Sequence, residues 1–256
     1  MIDSIITGSG SPATAISIGA VVKRTIGVVV ANLVPFSILA LVLHLPGLVL
    51  GYITLSSALS GEASSFSPLE IVFTVVSLVL SYLLMAAVVY GTVSHLRGRK
   101  AGLGEIVSRG LGAVLPIVVI AVAASILLGI GFALLIVPGV FLAVIFSVTV
   151  PAYVVERPGI VDSFKRSMEL TQGNRWRVLG VLAIFIVALA VFGFVVDLVV
   201  GIVAAIGLGF TLILIVNYIV SALSSAVLAV AVAVLYHDLR VAKEGVNTEQ
   251  IAAVFD

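Results

Sequence analysis

The chain has 256 residues, of which 62% are hydrophobic and only 10% charged, with 13 Lys+Arg, 12 Asp+Glu and no cysteine. Soluble domains run at about 45–50% apolar and about 25% charged, so a chain with a mean hydropathy of +1.36 cannot clothe itself in polar groups and an aqueous surface is excluded for most of it. The missing cysteines exclude disulfides, thiolate catalysis and Cys-ligated zinc or iron–sulfur centres, and no Walker loop, dinucleotide fingerprint or basic–aromatic stripe for nucleic acid is present.

Residues 1–13 are rich in Gly, Ser and Thr and predict a flexible tail. Asp3 and the lack of a basic lead-in argue against a signal peptide, and Gly8-Ser9-Gly10-Ser11 reads as linker. Long apolar tracts follow at 26–59 (with Pro35 and Pro46), 69–96, 111–137, 140–155 and 178–236. A membrane helix needs about 20 apolar residues to cross roughly 30 Å of hydrocarbon, so each of the first four holds one span. Pro138-Gly139 is expected to break the third from the fourth. The last tract is too long for one span and divides into helices near 178–197 and 211–236, with Asp197 at the far interface and glycines 201, 207 and 209 between them.

Charge placement sets the count. All thirteen cations fall in four clusters: Lys23 and Arg24; Arg97, Arg99, Lys100 and Arg109; Arg157, Lys165, Arg166, Arg175 and Arg177; Arg240 and Lys243. The stretches between clusters hold none. Basic loops stay on the cytoplasmic side, so each gap must leave and return. Two spans per gap give an all-α integral membrane protein of six transmembrane helices in three hairpins, with both termini cytoplasmic. The membrane domain is expected over 14–240 and a short cytoplasmic tail over 241–256, with no soluble domain attached.

Each hairpin follows a short basic segment, with Arg24, Arg109 and Arg166 in register. In the third segment Ile160, Val161, Phe164 and Met168 share one helical face, and Asp162, Lys165, Arg166 and Glu169 the other. Asp162 and Arg166 form an expected i,i+4 pair. Such a helix lies in the headgroup plane, and Trp176, between Arg175 and Arg177, anchors the next span at the interface. Leu103, Ile106, Val107 and Leu111 repeat the pattern, and 16–26 is a poorer copy. Each hairpin is thus expected to follow a short amphipathic interfacial helix. The candidate lipid-headgroup residues are Lys165, Arg166, Arg175, Trp176, Arg177, Arg109 and Arg24. The plain alternative is that these cations only orient the protein and hold anionic lipid non-specifically, at about 1 kcal/mol each.

Residues that carry reaction chemistry are sparse. His44, His95 and His237 stand alone, without the i,i+4 pairing of a helical metal site. His44 is intramembrane, which makes it either a functional group or a satisfied packing residue. Asn217 is expected to hydrogen-bond between helices. Pro46-Gly47 and Pro138-Gly139 are either a kink and a turn or the broken helices of a transporter site. Small residues (Ala121, Ser125, Gly129; Gly201, Ala205, Gly209; Ser221, Ser225, Ala229, Ala233) allow close helix approach or a dimer. No cofactor, metal or catalytic group is expected.

Pro151-Ala152-Tyr153-Val154-Val155-Glu156-Arg157, then Ser163-Phe164-Lys165-Arg166-Ser167-Met168-Glu169-Leu170-Thr171-Gln172-Gly173-Asn174-Arg175-Trp176-Arg177, and the exit from Val234 through Asp238 to Gly245 together resemble the membrane domain of the glycerophosphoryl diester phosphodiesterase family, and are similar to the YciC-type uncharacterised inner-membrane proteins. The resemblance covers about 16–245. It implies the non-catalytic membrane part alone, since the family's metal-binding barrel has no counterpart here. The expected function is that of a non-enzymatic multi-pass protein of a prokaryotic cytoplasmic membrane, a lipid-related scaffold or accessory membrane domain. Its expected partners are membrane lipids of anionic type, and a protein partner or second copy. A transporter or permease for a small molecule or lipid is the alternative.

Overall fold

The computed structural model describes residues 15–60, 67–205 and 210–245. The expected N-terminal tail, the loop with Glu62, the turn at glycines 207 and 209 and the last residues of the C-terminal tail lie outside them. Among the described residues there are ten helices and no strand. Six stretches are long and apolar enough to cross a membrane: Leu33–Ser57, Pro68–Leu96, Val114–Leu134, Ile136–Glu156, Arg175–Ile202 and Thr211–Glu244.

Helix α1 (Ile18–Ala31) starts at Ser17, whose side chain accepts from the Ala20 N–H, and buries one stripe: Val21, Thr25 and Val28. It ends at Asn32, where the first apolar tract was expected to run on as one span. The Asn32 amide donates to the Val28 carbonyl at 2.9 Å and meets His95 Nδ1 at 3.2 Å. A short polar side chain that competes for the helix's own carbonyl interrupts it. Residues 26–31 therefore belong to α1, and the span begins with α2 (Leu33–Ser60), which carries Pro46 inside it. α3 (Pro68–Leu96) opens on a capping box, Ser67 with Glu70, with Pro68 at the first helical position, where its missing N–H costs nothing.

α4 (Leu103–Leu111) lies along the C-terminal half of α3, turning Ile106 and Gly110 into it. α5 (Val114–Leu134) is followed by α6 (Ile136–Ile145) and α7 (Thr149–Glu156). The break is at Leu135, in extended conformation, and not at Pro138-Gly139. Pro138 is the third residue of α6, within the turn whose N–H groups have no helical acceptor, so it begins this helix rather than ending the one before.

α8 (Ile160–Thr171) enters through Arg157 (φ 55°) and Gly159 (φ 107°). Arg157 is held there by its Nη1 on the Gly112 carbonyl at 3.2 Å. Its buried side is Ser163, Ser167, Leu170 and Thr171, while Val161 and Met168 are exposed. Ser167 Oγ donates to the Ile145 carbonyl at 2.7 Å. The hydroxyl stripe, not the apolar one, faces the protein. At about 100° per residue α8 has three sides: hydroxyls toward the bundle, Val161, Phe164 and Met168 on the next, and charges on the third.

α9 (Arg175–Ala205) and α10 (Phe210–Glu244) are longer than the expected spans. α10 runs past the expected boundary at 240, and the Arg240–Glu244 pair (2.6 Å) closes its last turn. α10 is the central helix, packed on α1, α2, α3, α7, α8 and α9. The core is concentrated in one half of the bundle. It takes in Leu83 to Ser94 of α3, Ala222 to Leu239 of α10 and residues near the start of α5 and α9, such as Ile117 and Val178. Large apolar residues of the other half, such as Leu69, Ile130, Val137 and Phe194, are exposed. The small-residue stripes divide likewise: Ala229 and Ala233 are buried, whereas Gly129 and Gly201 face open space.

Candidate functional site

The seven expected lipid-facing residues do not form one patch. Arg24 on α1 pairs with Asp238 of α10, whose side chain is largely buried. Arg166 does not pair with Asp162 as expected. Its Nε holds both oxygens of Glu156, at 2.8 and 3.1 Å, and its Nη2 holds Glu244. Asp162 instead takes Lys165 at 3.1 Å. Two carboxylates arriving from α7 and α10 outbid one on the same exposed helix face, because they are less exposed and screened less. Tyr236, itself buried, donates to Glu156 Oε1 at 2.6 Å. Arg177 donates from Nη1 to the Ile16 carbonyl at 2.6 Å, and buried Asn174 accepts the Ile16 N–H at 3.1 Å. These bonds pin the approach to α1 against the start of α9.

Arg109 lies over the Tyr90 ring at 5.9 Å and faces outward. Beside it, Tyr90 and Arg99 Nη2 both donate to Glu105 Oε1, each at 2.6 Å. The Tyr90 hydroxyl, and next to it the Arg99 charge, outweigh desolvation and hold the Glu105 carboxyl below its ordinary 4.5. A carboxyl more acidic in the fold than in the unfolded chain stabilises the fold above the unfolded value and ceases to do so as pH falls through the folded one. The melting midpoint of the solubilised chain is therefore expected to exceed that of Glu105→Gln at neutral pH, with the gap closing as the pH is taken below 4.5.

Arg175 and Trp176 are placed differently. They stand at the mouth of a groove of about 510 Å³ between α6 and α9, walled by Val137, Val140, Phe141 and Leu179. The Arg175 guanidinium lies 5.0 Å over the Phe141 ring, a cation–π contact. Its Nε is buried and has no hydrogen-bond partner among the described residues. Trp176 is 85% exposed. An aliphatic channel ending in a guanidinium one bond short offers one place to a chain and another to an anion.

A second cleft, of about 250 Å³, lies between α2 and α10; its walls are mostly apolar, with Gly47, Leu48, Gly51 and Leu214 beside the polar groups of His44, Asn217, Tyr218 and Ser221. His44 Nδ1 meets the Ala40 carbonyl at 3.0 Å and Nε2 meets Ser225 Oγ at 3.2 Å. Asn217 does not bridge helices as expected. Its neighbour Tyr218 does so, donating to the Leu41 carbonyl, while Asn217 is exposed.

Sequence reasoning singled out the cations but not their partners Glu156, Tyr236, Asp238 and Glu244. The available signal was an acidic or phenolic residue at the end of an apolar tract beside a basic cluster. Among the described residues no three His, Asp or Glu side chains gather to hold a metal ion.

No curated protein and no solved structure matches the chain. A family model described as Domain of unknown function (DUF7847) matches residues 64–239, the stretch from just before α3 to the last turns of α10, and the chain belongs to that family.

Proposed function

We propose that the protein crosses a prokaryotic cytoplasmic membrane six times as three hairpins, with both termini cytoplasmic and with α1, α4 and α8 as short amphipathic helices in the headgroup plane. We further propose that it is a non-enzymatic scaffold or accessory membrane domain that holds anionic lipid at the inner leaflet. The observation that carries this is the Arg175 groove. A lipid phosphate supplies acceptors for the Nη donors of the Arg175 guanidinium, an acyl chain fills the apolar groove, and exposed Trp176 fixes the depth. The two outward sides of α8, apolar and charged, fit the boundary between chain and headgroup. Lys165 and Arg109 add general attraction for anions. Arg24, Arg166 and Arg177 serve chiefly to clamp helices together. The resemblance to the membrane part of glycerophosphoryl diester phosphodiesterases points the same way. A permease is the second reading, favoured by the polar side chains of His44, Asn217, Tyr218 and Ser221 in the cleft between α2 and α10.

Native mass spectrometry of protein taken from bilayers of mixed phosphatidylglycerol and phosphatidylcholine tests the leading reading. Phosphatidylglycerol is expected to be retained preferentially. Arg175→Gln should lower that preference about tenfold, the size of one charge-assisted bond, and Arg177→Gln should leave it nearly intact. Equal retention of both lipids by the wild-type chain would remove the proposal.

A further inference from the structure

We infer that the α2–α10 cleft is a binding site for an uncharged, hydroxyl-bearing group, either the sugar or polyol headgroup of a neutral lipid or the same chemistry as a free polyol. The inference is independent of the anionic-lipid reading, which concerns another groove and another ligand.

The first reason is place. Counting back along α10 from buried Tyr236 at the polar end, Ser225 lies about 16 Å and Asn217 about 28 Å away at helical rise. A hydrocarbon core is about 30 Å thick, so the cleft runs from near mid-depth at His44 to the far interface at Asn217. A polar side chain at the depth of His44 and Ser225 is costly and is generally functional.

The second reason is chemistry. No Lys, Arg, Asp or Glu lines the cleft, and every cation of the chain lies in the basic clusters at the other end. A charged ligand would find no counter-ion, so the ligand is neutral. The polar groups present offer both donors and acceptors. The Ala40 carbonyl can only accept, so His44 Nδ1 carries a hydrogen there and Nε2 faces the Ser225 hydroxyl. Ser225 has one hydroxyl hydrogen and two claimants for it, Nε2 at 3.2 Å and the Ala222 carbonyl at 2.8 Å. When the carbonyl takes it, His44 lacks a donor. Asn217 offers two N–H donors and a carbonyl, and Ser221 offers a hydroxyl. A set that asks for both donors and acceptors is answered by hydroxyls, which are both.

The third reason is size. The cleft, at about 250 Å³, is smaller than the roughly 300–1,000 Å³ of sites for drug-sized ligands. Gly47 and Gly51 keep it open, for they set backbone where side chains would stand. It suits one small polyol unit.

The test uses the full chain in phosphatidylcholine vesicles doped with a diazirine-bearing glycosyl diacylglycerol. Photolabelling is expected to concentrate on the peptides carrying residues 44–51 and 214–221. It should fall about tenfold in Asn217→Leu combined with Ser221→Ala, as loss of two hydrogen-bonding groups implies. Phosphatidylglycerol retention at Arg175 and the melting midpoint of that variant should be unchanged, which separates loss of the site from loss of the fold. Displacement of the label by methyl glucoside in the buffer would identify a free polyol as ligand, and resistance to it a lipid headgroup. Labelling that equals that of a diazirine-bearing phosphatidylcholine, or that survives the double substitution, would overturn the proposal. So would near-complete disulfide formation between two copies of a Leu48→Cys variant, since the cleft would then be a protein contact. The chain's lack of cysteine makes that reading unambiguous.

Discussion

Glu156→Ala is expected to destabilise the bundle by about 2–4 kcal/mol, the cost of removing one member of a partly buried charge network. Glu156 is the acceptor on which three side chains from two helices converge: Arg166 from α8, and Tyr236 and, at 3.9 Å, Arg240 from α10. Its own side chain is only 19% exposed, and that of Arg166 23%. The alanine variant strands the Tyr236 hydroxyl in the core and leaves Arg166 and Arg240 with Glu244 as their shared carboxylate. Glu156→Gln keeps an acceptor for Tyr236 and loses only the charge, so about half the loss is expected from it. Unfolding in a graded denaturing detergent, followed by the helix signal, provides the comparison. If both variants fall within about 0.5 kcal/mol of wild type, the network behaves as an exposed surface pair and the clamp assigned to Arg166 is wrong.

The same cluster marks how far the sequence could be read. A bilayer imposes tracts of fixed minimum length, so five apolar tracts stand out from hydropathy alone, and charge placement divides the last of them into two spans. What hydropathy leaves undecided is how polar punctuation acts within a tract. Asn32 lies inside 26–59, and its effect shows only once its amide is placed on the Val28 carbonyl. Pro138, expected at the break between two spans, stands instead in the first turn of the second. Face assignment is incomplete for a different reason. Periodicity separates the apolar from the charged side of α8, but it does not mark the third side, where Ser163 and Ser167 pack closely and hydrogen-bond and turn in while Val161 turns out. The basic residues were legible as a set but not as individuals. Arg166 and Arg175 look alike in sequence. Carboxylates 10 and 78 residues away claim the first, and only an aromatic face meets the second. Separations of that order are fixed by the assembled bundle, not by helical spacing.

The α5–α6 turn should be the least forgiving part of the backbone. Only Leu135 separates two helices, so they must meet almost at once, and Gly131 and Gly139 are where they do. A Cβ on Gly131 would lie 3.1 Å from the Gly139 Cα, and a Cβ on Gly139 would overlap the base of the Phe132 ring, within 2.7 Å of its Cε1. The obstruction includes Cγ, so a rotation of the ring tip does not relieve it. Gly139→Ala is therefore expected to cost about 1–3 kcal/mol through overpacking, and Phe132→Ala in the same chain should recover most of it. Gly129→Ala, two residues before Gly131 but facing open space, is the control. It should be neutral or stabilising by up to about 1 kcal/mol, because alanine is the better helix former. Melting midpoints of the three variants and the wild-type chain in one detergent decide the matter. Equal losses for Gly129→Ala and Gly139→Ala would mean that the two helices do not meet closely. Leu135 would then be a loose joint, and the Arg175 groove, whose wall is α6, would lose the rigid side on which its selectivity for lipid depends.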